Sequence, residues 1–530
     1  MRNSDTRRLP ARDRSAFLAL QKTLPSIWNS IQHQPSWEHT SVVIPSLSMD
    51  QEELSKVQGA SFYEERLLFS LIRLRNPRAR VVYVTSHPVH PDIVDYYLQL
   101  LPGVPSGHAR QRLHLLSVFD SSPKALTQKI LERPRVLDRL RRYIGDPRRA
   151  YLTCYNVTEL EERLAVELRI PLNGVDPELL WLGTKSGSRR VFAEAGVRHP
   201  DGAEDIRSEE NLLDALAGLL DRNPRMRRAV VKLNEGFSGE GNGLVDLPSD
   251  LPREGAERCT ALVHALQSAR WSAAQETYPA FLRKLGQMGG VIEQFLEGAE
   301  VRSPSVQMRI HPDGQPVIIS SHDQILGGPT GQVYLGCKFP ADDEYRTLIQ
   351  NDAMRIGQKL AEYGVISRFG IDFLLTRDLG GEWRSHAIEI NLRMGGTTPP
   401  FMALEFLTGG RLDPATGHFV ARSGKRKYYY ATDNLKSPAY TGLLPEDFMD
   451  VLTLHGLHFQ HATDTGVLFF MIGAVSQYGK VGVVCVGDSR EAADRLYEHT
   501  VDVLDRETGA ERELHGQLAP IFDSIVTRME

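Results

Sequence analysis

Phe369-Gly-Ile-Asp-Phe-Leu-Leu375, the turn Arg377-Asp-Leu-Gly-Gly-Glu382 and His386-Ala-Ile-Glu-Ile-Asn-Leu-Arg393 read together as one β-hairpin. Two apolar runs flank Gly380-Gly381, a strong signal for a two-residue turn. Folding back symmetrically about that pair sets Asp372 directly opposite Glu389. Strand side chains alternate, so Glu389, Asn391 and Arg393 share one face while Ile388 and Ile390 take the other. Opposed carboxylates repel unless a cation lies between them. Two carboxylates and an amide oxygen are hard ligands suited to Mg²⁺, which also keeps waters and phosphate oxygens in its shell. The hairpin therefore predicts a magnesium–nucleotide platform. Arg368 continues the same face on the partner strand. Met394-Gly-Gly-Thr-Thr-Pro-Pro400 follows at once, with Gly395 and Gly396 as candidate backbone donors to a developing oxyanion.

Upstream, Arg228-Ala-Val-Val-Lys-Leu233 reads as a strand that runs into Asn234-Glu-Gly-Phe-Ser-Gly-Glu-Gly-Asn-Gly243 and emerges as Leu244-Val-Asp-Leu247. Gly236, Gly239 and Gly241, with Ser238 among them, let backbone N–H groups approach phosphate oxygens closely, and Lys232 supplies the charge. No helix follows, so this is not a dinucleotide fingerprint, and Gly183-Thr-Lys-Ser186 lacks the leading glycine of a Walker loop. The reading is a flap between antiparallel strands that closes over a triphosphate. Thr184 to Gly196 has the pattern of a capped helix beginning near Lys185. A long helical region is expected over 259–288, then a strand through Val291-Ile-Glu-Gln294 ending in a turn at Gly298.

Toward the N-terminus, Val42-Val-Ile, Val81-Val-Tyr-Val, Leu113-His-Leu-Leu and Tyr151-Leu-Thr-Cys alternate with amphipathic stretches over 64–75 and 125–143. That βαβα series predicts a small parallel sheet. Pro45-Ser-Leu-Ser48 stands where a glycine fingerprint would be, so an NAD site is excluded and the domain recognises substrate or is architectural. Gln307-Met-Arg-Ile310, turning at Pro312-Asp-Gly314, pairs with Pro316-Val-Ile-Ile-Ser-Ser321, and a helix is expected over 342–363. Arg309, His322 and Asp323 are the candidate substrate contacts. From Gly424 onward a separate unit is expected, with strands at Gly466-Val-Leu-Phe-Phe-Met and Val481-Gly-Val-Val-Cys-Val and a helix over 490–504. The implied segments are 1–39, an extension; 40–182, a parallel-sheet domain; 183–298, the flap subdomain; 299–423, the platform subdomain; and 424–530, a C-terminal domain.

Hydrophobic residues at 41% and charged residues at 24% are ordinary for a globular protein, and the net charge of -5 argues against nucleic-acid partners. Cys154, Cys259, Cys337 and Cys485 have no paired spacing, which excludes a disulfide framework and a zinc site and fits the reducing cytoplasm. The longest apolar run falls far short of the roughly 20 residues that span a bilayer. Arg2, Arg7, Arg8, Arg12 and Arg14 precede no apolar core, so the tail is not a secretory signal. His455, His458 and His461 lack a cysteine and clear helical context, so they read as surface or substrate-lining groups.

In order along the chain stand Lys185, Lys232 with its glycine flap, Ile292-Glu-Gln-Phe-Leu-Glu-Gly-Ala-Glu300, Gly370-Ile-Asp-Phe373 and Ile388-Glu-Ile-Asn-Leu-Arg393. That succession resembles the ATP-grasp ligases. Asp323-Gln-Ile-Leu-Gly-Gly328, Gly395-Gly-Thr-Thr-Pro-Pro400 and Gly479-Lys-Val-Gly-Val-Val-Cys-Val-Gly487 resemble the pheganomycin-type peptide ligases in particular. The resemblance implies an α/β fold (α+β in its ATP-grasp core) with an N-terminal Rossmann-like sheet, a two-subdomain ATP-grasp core and a small α/β C-terminal domain. It implies ATP and Mg²⁺, with Mn²⁺ as a substitute. Lys185 and Lys232 would contact phosphates, Lys232 also lying near the adenine. Glu293, Gln294 and Phe295 would form the adenine hinge, and Glu300 would meet the ribose. Asp372, Glu389 and Asn391 would hold magnesium, and Arg393 would steady the transferred phosphate. Relatives often carry an arginine where this chain has Gly370, and Arg368 is its candidate replacement. The implied reaction makes an acylphosphate from a carboxylate and ATP, then an amide from an amino acid or short peptide, as in natural-product and antibiotic biosynthesis. Two alternatives stay open: an ATP-grasp enzyme with a non-amine acceptor, and a non-catalytic nucleotide-binding regulator. A homodimer is the assembly kept open, and no membrane partner is expected.

Overall fold

The computed structural model describes residues 11–49, 54, 57–236, 241–252, 254–273, 276–327 and 333–509. The chain divides into two compact units, one from 1–177, 336–340 and 393–530, the other from 178–335 and 341–392.

The first unit opens with the expected series. β1 (His39–Ile44), β2 (Ala79–Thr85), β3 (Leu113–Ser117) and β4 (Ala150–Cys154) form a parallel sheet in the order β3-β2-β1-β4. Its strands are short apolar runs because parallel sheets are covered on both faces. Val42, Ile44, Val82 and Leu152 share a core with the helix residues Leu140 and Leu164. The single helix expected over 125–143 is instead two, Leu126–Leu131 and Pro134–Ile144. Pro134 lacks an N–H and disfavours helical backbone at the residue before it, so it starts a helix and cannot continue one.

The second unit holds a five-stranded sheet and five complete strands of a larger one. β5 (Gly202–Ile206), β6 (Arg228–Leu233), β7 (Asn242–Asp246), β8 (Arg270–Trp271) and β9 (Gly290–Gln294) lie in the order β5-β9-β6-β7-β8, every pairing antiparallel. The helical region expected over 259–288 is corrected to Gly255–Gln267, then β8, then Tyr278–Met288. Packing overrides helical periodicity here. Trp271 lies where a Cβ on Gly243 would come within 2.6 Å of its ring, and it packs at a tilt against Phe281 with centroids 4.7 Å apart.

In the larger sheet, β10 (Glu300–Arg302), β11 (Pro304–Ile310) and β12 (Pro316–Gly327) are followed by β13 (Val333–Phe339), β14 (Ser367–Arg377) and β15 (Arg384–Asn391). β11 pairs with β12 on one side and with β14 on the other, and β14 pairs in turn with β15. The helix Arg346–Glu362 covers the Met308 side of β11, where a Cβ on Gly357 would stand 2.6 Å from Met308 Cε.

The remaining residues return to the first unit. The helix Thr398–Thr408 leads to β16 (Arg411–Leu412), β17 (Phe419–Val420), β18 (Arg426–Lys436), β19 (Gly466–Phe470), β20 (Lys480–Gly487) and the helix Arg490–Thr508. The stretch from Gly424 onward, expected to stand apart, packs against the N-terminal part of the same unit. The Tyr97 hydroxyl donates to the Phe469 carbonyl (3.2 Å), the Gly473 N–H to Glu65 Oε2 (3.0 Å) and Lys480 Nζ to the Tyr63 oxygen (2.6 Å). Among the described residues, no helix is long and apolar enough to cross a membrane.

Candidate active site

Asp372 lies opposite Glu389, and Gly370 opposite Asn391. The route to that register differs from the symmetric two-residue turn. Thr376 pairs with Arg384 and Phe373 with Ala387, and the Asp378 carbonyl accepts the Gly381 N–H at 2.9 Å inside a longer loop. A β-bulge between Asp372 and Phe373 leaves Ile388 as the extra residue on β15 and restores the opposition of the two carboxylates. It also changes the phase of burial. Ser385 and Ala387 are buried before it, Ile390 and Leu392 after it, and Ile388 is only half-buried, off the face expected for it.

Repulsion between the two acids is relieved by their neighbours. Lys185 Nζ forms an ion pair with Glu389 Oε1. Asn391 Nδ2 donates to Asp372 Oδ2 at 2.9 Å, and Gln324 Nε2 donates to Asp372 Oδ1 at 2.8 Å. Two carboxylates with the amide oxygen of Asn391 form the hard donor set that Mg²⁺ prefers, so Asp372, Glu389 and Asn391 fit that ion.

Lys185 is placed by the start of its helix, Lys185–Glu194. Thr184 Oγ1 caps it by accepting the Gly187 N–H at 3.0 Å, while the Ser186 N–H donates to Asn234 Oδ1 at 2.9 Å. A Cβ on Gly187 would sit 1.9 Å from the Trp181 carbonyl oxygen, so only glycine allows this approach. Asn234 thereby ties the Lys185 turn to the segment that leaves β6.

Lys232 pairs across β6 and β7 with Asn242, so the loop expected to be a flap joins two antiparallel strands. Gly236 and Gly241 flank it, whereas Ser238 and Gly239 lie outside the described residues. Lys232 Nζ donates to Glu293 Oε2, and Arg189 Nη1 donates to Glu293 Oε1 at 2.9 Å. Burial pushes the Glu293 carboxyl up, yet Lys232 and Arg189 outweigh it and hold the group below its ordinary range. The Gln294 and Phe295 N–H groups donate to the Asp201 and Arg228 carbonyls (2.8 and 3.1 Å), and the Phe295 ring lies under the Arg228 guanidinium at 4.2 Å. Glu300 is gripped by Arg377, through Nε at 2.8 Å and Nη2 at 3.0 Å.

The candidate substrate contacts separate. Arg309 lies directly opposite Arg368. His322 is fully buried, and burial lowers its imidazole to about 3, which corrects the expectation that it lines an open acceptor pocket. Asp323 is also corrected. Adjacent residues of a strand face opposite ways, and Asp323 turns toward the helical side to accept the Tyr345 hydroxyl at 2.7 Å. Arg393, Gly395 and Gly396 belong to the first unit. There the Met394 N–H donates to the Tyr155 carbonyl (3.1 Å) and the Gly395 N–H to Thr398 Oγ1 (3.0 Å), so the Gly395 donor expected at an oxyanion is already used. Gly396 stands in the turn just before the helix Thr398–Thr408.

Gln324, Arg189 and Asn234 are site residues that the sequence reading missed. Gln324 was within reach, because His322 and Gln324 share a face once β12 is extended to Gly327. Of the histidine run, His455 Nε2 lies 2.8 Å from Glu507 Oε1 and His461 packs edge-on against Phe459.

Residues 178–276 and 260–415 match the family described as IQCH-like, ATP-grasp, and residues 447–500 match the PGM1 C-terminal domain. The L-propargylglycine–L-glutamate ligase of Streptantibioticus cattleyicolor is 30% identical over 465 residues, covering 86% of this chain and 92% of the relative. IQ motif-containing protein H of Danio rerio is 25% identical over 445 residues, covering 76% of this chain, which spans 41% of that longer relative. Among solved structures, a Campylobacter jejuni biotin carboxylase–β-γ-ATP complex aligns with a TM-score of 0.51 at 13% identity, over 86% of this chain and 89% of the other. The biotin carboxylase domain of Hydrogenobacter thermophilus 2-oxoglutarate carboxylase, with MgADP, aligns with a TM-score of 0.50 at 13% identity, over 86% and 88%. Those two likenesses concern the fold alone. An acid pair in register on a sheet, two lysines each paired with a carboxylate, and kinship along most of the length converge: the chain belongs to the ATP-grasp ligases, among the pheganomycin-type peptide ligases.

Proposed function

We propose that this ligase activates the carboxylate of a small acid and passes it to the amine of an amino acid or short peptide, in the assembly of a peptide natural product. Its reaction class is ATP-dependent amide-bond formation with release of ADP and phosphate, and its cofactors are ATP and Mg²⁺. The observation that carries the reading is the opposition of Asp372 and Glu389 beside Lys185.

In this reading, Lys185 exchanges Glu389 for a phosphate oxygen when nucleotide enters. Lys232 and the N–H groups around Gly236 and Gly241 hold the remaining phosphates. The segment Glu293-Gln294-Phe295 meets the adenine and Glu300 the ribose. Asp372, Glu389 and Asn391 hold the metal, which neutralises charge on the phosphoryl group when bound. Arg393 keeps the role its motif assigns, steadying the transferred phosphate. A carboxylate oxygen of the acid bonds to the γ-phosphorus as ADP leaves. The amine nitrogen then bonds to the acyl carbon, phosphate leaves, and the nitrogen gives up a proton. Such chemistry asks the protein for position and charge, which lysines, amides and carboxylates supply without a protein nucleophile.

The test is ADP release with MgATP against amino acids and dipeptides, offered singly and in pairs, with mass spectrometry of the products. Turnover that needs both an acid and an amine, yields an amide and drops by at least about 100-fold in Glu389→Gln supports the reading. ADP formed without any amide product, or a fully active Glu389→Gln, refutes it.

A further inference from the structure

In the first unit, β16, β17 and β18 pair so that Arg411, Val420 and Arg426 stand in one cross-strand row. Side chains in such a row share a face. Gly409, Gly410, Arg411, Val420 and Arg422 line a cleft of about 460 Å³, within the size range of small-molecule sites. Arg411 and Arg422 are both exposed. The Arg422 side chain lies against Gly409, where a Cβ would stand 3.0 Å from its Nε. Arg75, half-buried at the end of the 3₁₀ helix Ala60–Arg75, is within electrostatic reach of Arg422. Burial lowers the Arg75 guanidinium first, and Arg422 lowers it further.

The acids around these arginines are engaged elsewhere. Asp413, which also lines the cleft, accepts the Thr416 hydroxyl at 2.6 Å and the Ala415 N–H at 3.1 Å. The Thr416 hydroxyl does most to lower its carboxyl, with His418 and Arg426 adding to the effect. Asp488 accepts from Lys427 Nζ at 2.5 Å and from Lys425 Nζ at 3.3 Å, and Asp464 accepts the Ser423 hydroxyl at 2.7 Å. Among the described residues, no ion pair involves Arg75, Arg411 or Arg422. The helix Thr398–Thr408 ends at Gly409, and the helix Ala60–Arg75 ends at Arg75 itself. Helix carboxyl ends draw cations, but each supplies only about half a charge. Three cations exceed two such ends, so the cleft keeps a positive surplus. Like charges gathered this way cost stability, and an anion placed among them relieves that cost.

We propose that this cleft binds a small, multiply charged oxyanion, a phosphoryl or polycarboxylate group, gripped by the Arg411 and Arg422 guanidinium groups with Arg75 adding charge. Guanidinium forks match the oxygens of phosphate and carboxylate and bind them through charge-assisted hydrogen bonds. A surplus of more than one charge favours a dianion or trianion over a monoanion. The helix Thr398–Thr408, eleven residues and about 16 Å long, separates the cleft from the Gly395 turn. The oxyanion is therefore a ligand apart from any group held at that turn, and its site stands independently of the ATP reading.

The test is calorimetry on the full chain saturated with Mg²⁺ and adenylyl imidodiphosphate, so that phosphate is kept from the nucleotide site. The probes are inorganic phosphate and tricarballylate, with acetate as the monoanion control. At least one of the two should bind about 10-fold or more tightly than acetate, and which one it is tells a phosphoryl ligand from a polycarboxylate. Arg411→Gln and Arg422→Gln should each weaken that binding about 10-fold or more, the size expected of a charged hydrogen bond. Arg422→Lys should keep part of it, having the charge without the fork. Both side chains are exposed, and a second measurement needs no variant at all. Phenylglyoxal labelling of the wild type, read by peptide mass spectrometry, should fall at Arg411 and Arg422 when the oxyanion is added. Binding no tighter than acetate, an affinity unchanged in either glutamine variant, or labelling that the oxyanion does not reduce would overturn the site. Failure to bind the nucleotide analogue would count against the ATP reading and leave this test intact.

Discussion

Asp372 receives a hydrogen bond on each oxygen, from Gln324 at 2.8 Å and from Asn391 at 2.9 Å, which fixes the plane of its carboxylate. Groups that orient a metal ligand commonly matter by 10- to 100-fold. Gln324→Ala should lower kcat/KM for ATP by about that factor and raise the Mg²⁺ concentration for half-maximal ADP release. An unaltered Mg²⁺ titration would make Gln324 a packing residue only. His322 supports a second prediction. Its folded-state group is depressed from 6.5 to about 3, so the unfolded chain takes up the proton first. Its contribution is fully present above pH 6.5 and is lost as pH falls toward 3, at about 1.4 kcal/mol per pH unit. Urea midpoints at pH 7.5, 6.0 and 5.0 should fall more steeply in the wild type than in His322→Gln. At this scale the opposition of the acid pair was read correctly although the turn was not the two-residue loop expected at Gly380-Gly381, because the bulge at Ile388 offsets the longer loop. Neither the bulge nor the hydrogen bond from Tyr345 to Asp323 is announced by a local pattern.

The Lys185–Glu194 helix shows how an element can be legible while its placement is not. Thr184, Lys185 and Gly196 mark its ends in sequence. Its tie to Asn234 and the near-contact of Gly187 with the Trp181 carbonyl arise only in three dimensions. Gly187→Ala should therefore cost roughly 1–3 kcal/mol of stability through overpacking. Because Lys185 lies two residues away, MgATP should also bind more weakly than to the wild type. Thermal unfolding and nucleotide calorimetry check both. A stability loss with unchanged nucleotide affinity would detach Lys185 from the phosphates. The corrected helices have readable causes as well. Pro134 and the Thr277-Tyr278-Pro279 start each punctuate a periodic stretch, since Thr277 Oγ1 caps a new helix at the Ala280 N–H. The strand Arg270–Trp271 between them follows from Trp271 packing against Gly243, which no local pattern encodes.

On the scale of the whole chain, the parallel sheet was legible because each strand carries its own apolar run. The closure of the first unit was not, because its contacts join residues hundreds of positions apart. Glu65 is the most telling of these. It is buried, and its Oε2 accepts the Gly473 N–H across a separation of 408 residues. Burial, and then the neighbouring Glu64, raise its carboxyl to about 7 against the opposing effect of that N–H. A carboxyl raised in the folded state contributes stability that is full below pH 4.5 and is lost as pH rises through 7. The shift corresponds to about 3 kcal/mol of penalty on the ionised form. Glutamine keeps an oxygen for the Gly473 N–H and cannot ionise. Glu65→Gln should therefore match the wild type in urea unfolding near pH 5 and exceed it by roughly 1–3 kcal/mol at pH 8. A stability difference that stays constant across that window would mean that Glu65 does not ionise against the fold, and that another group carries the alkaline loss.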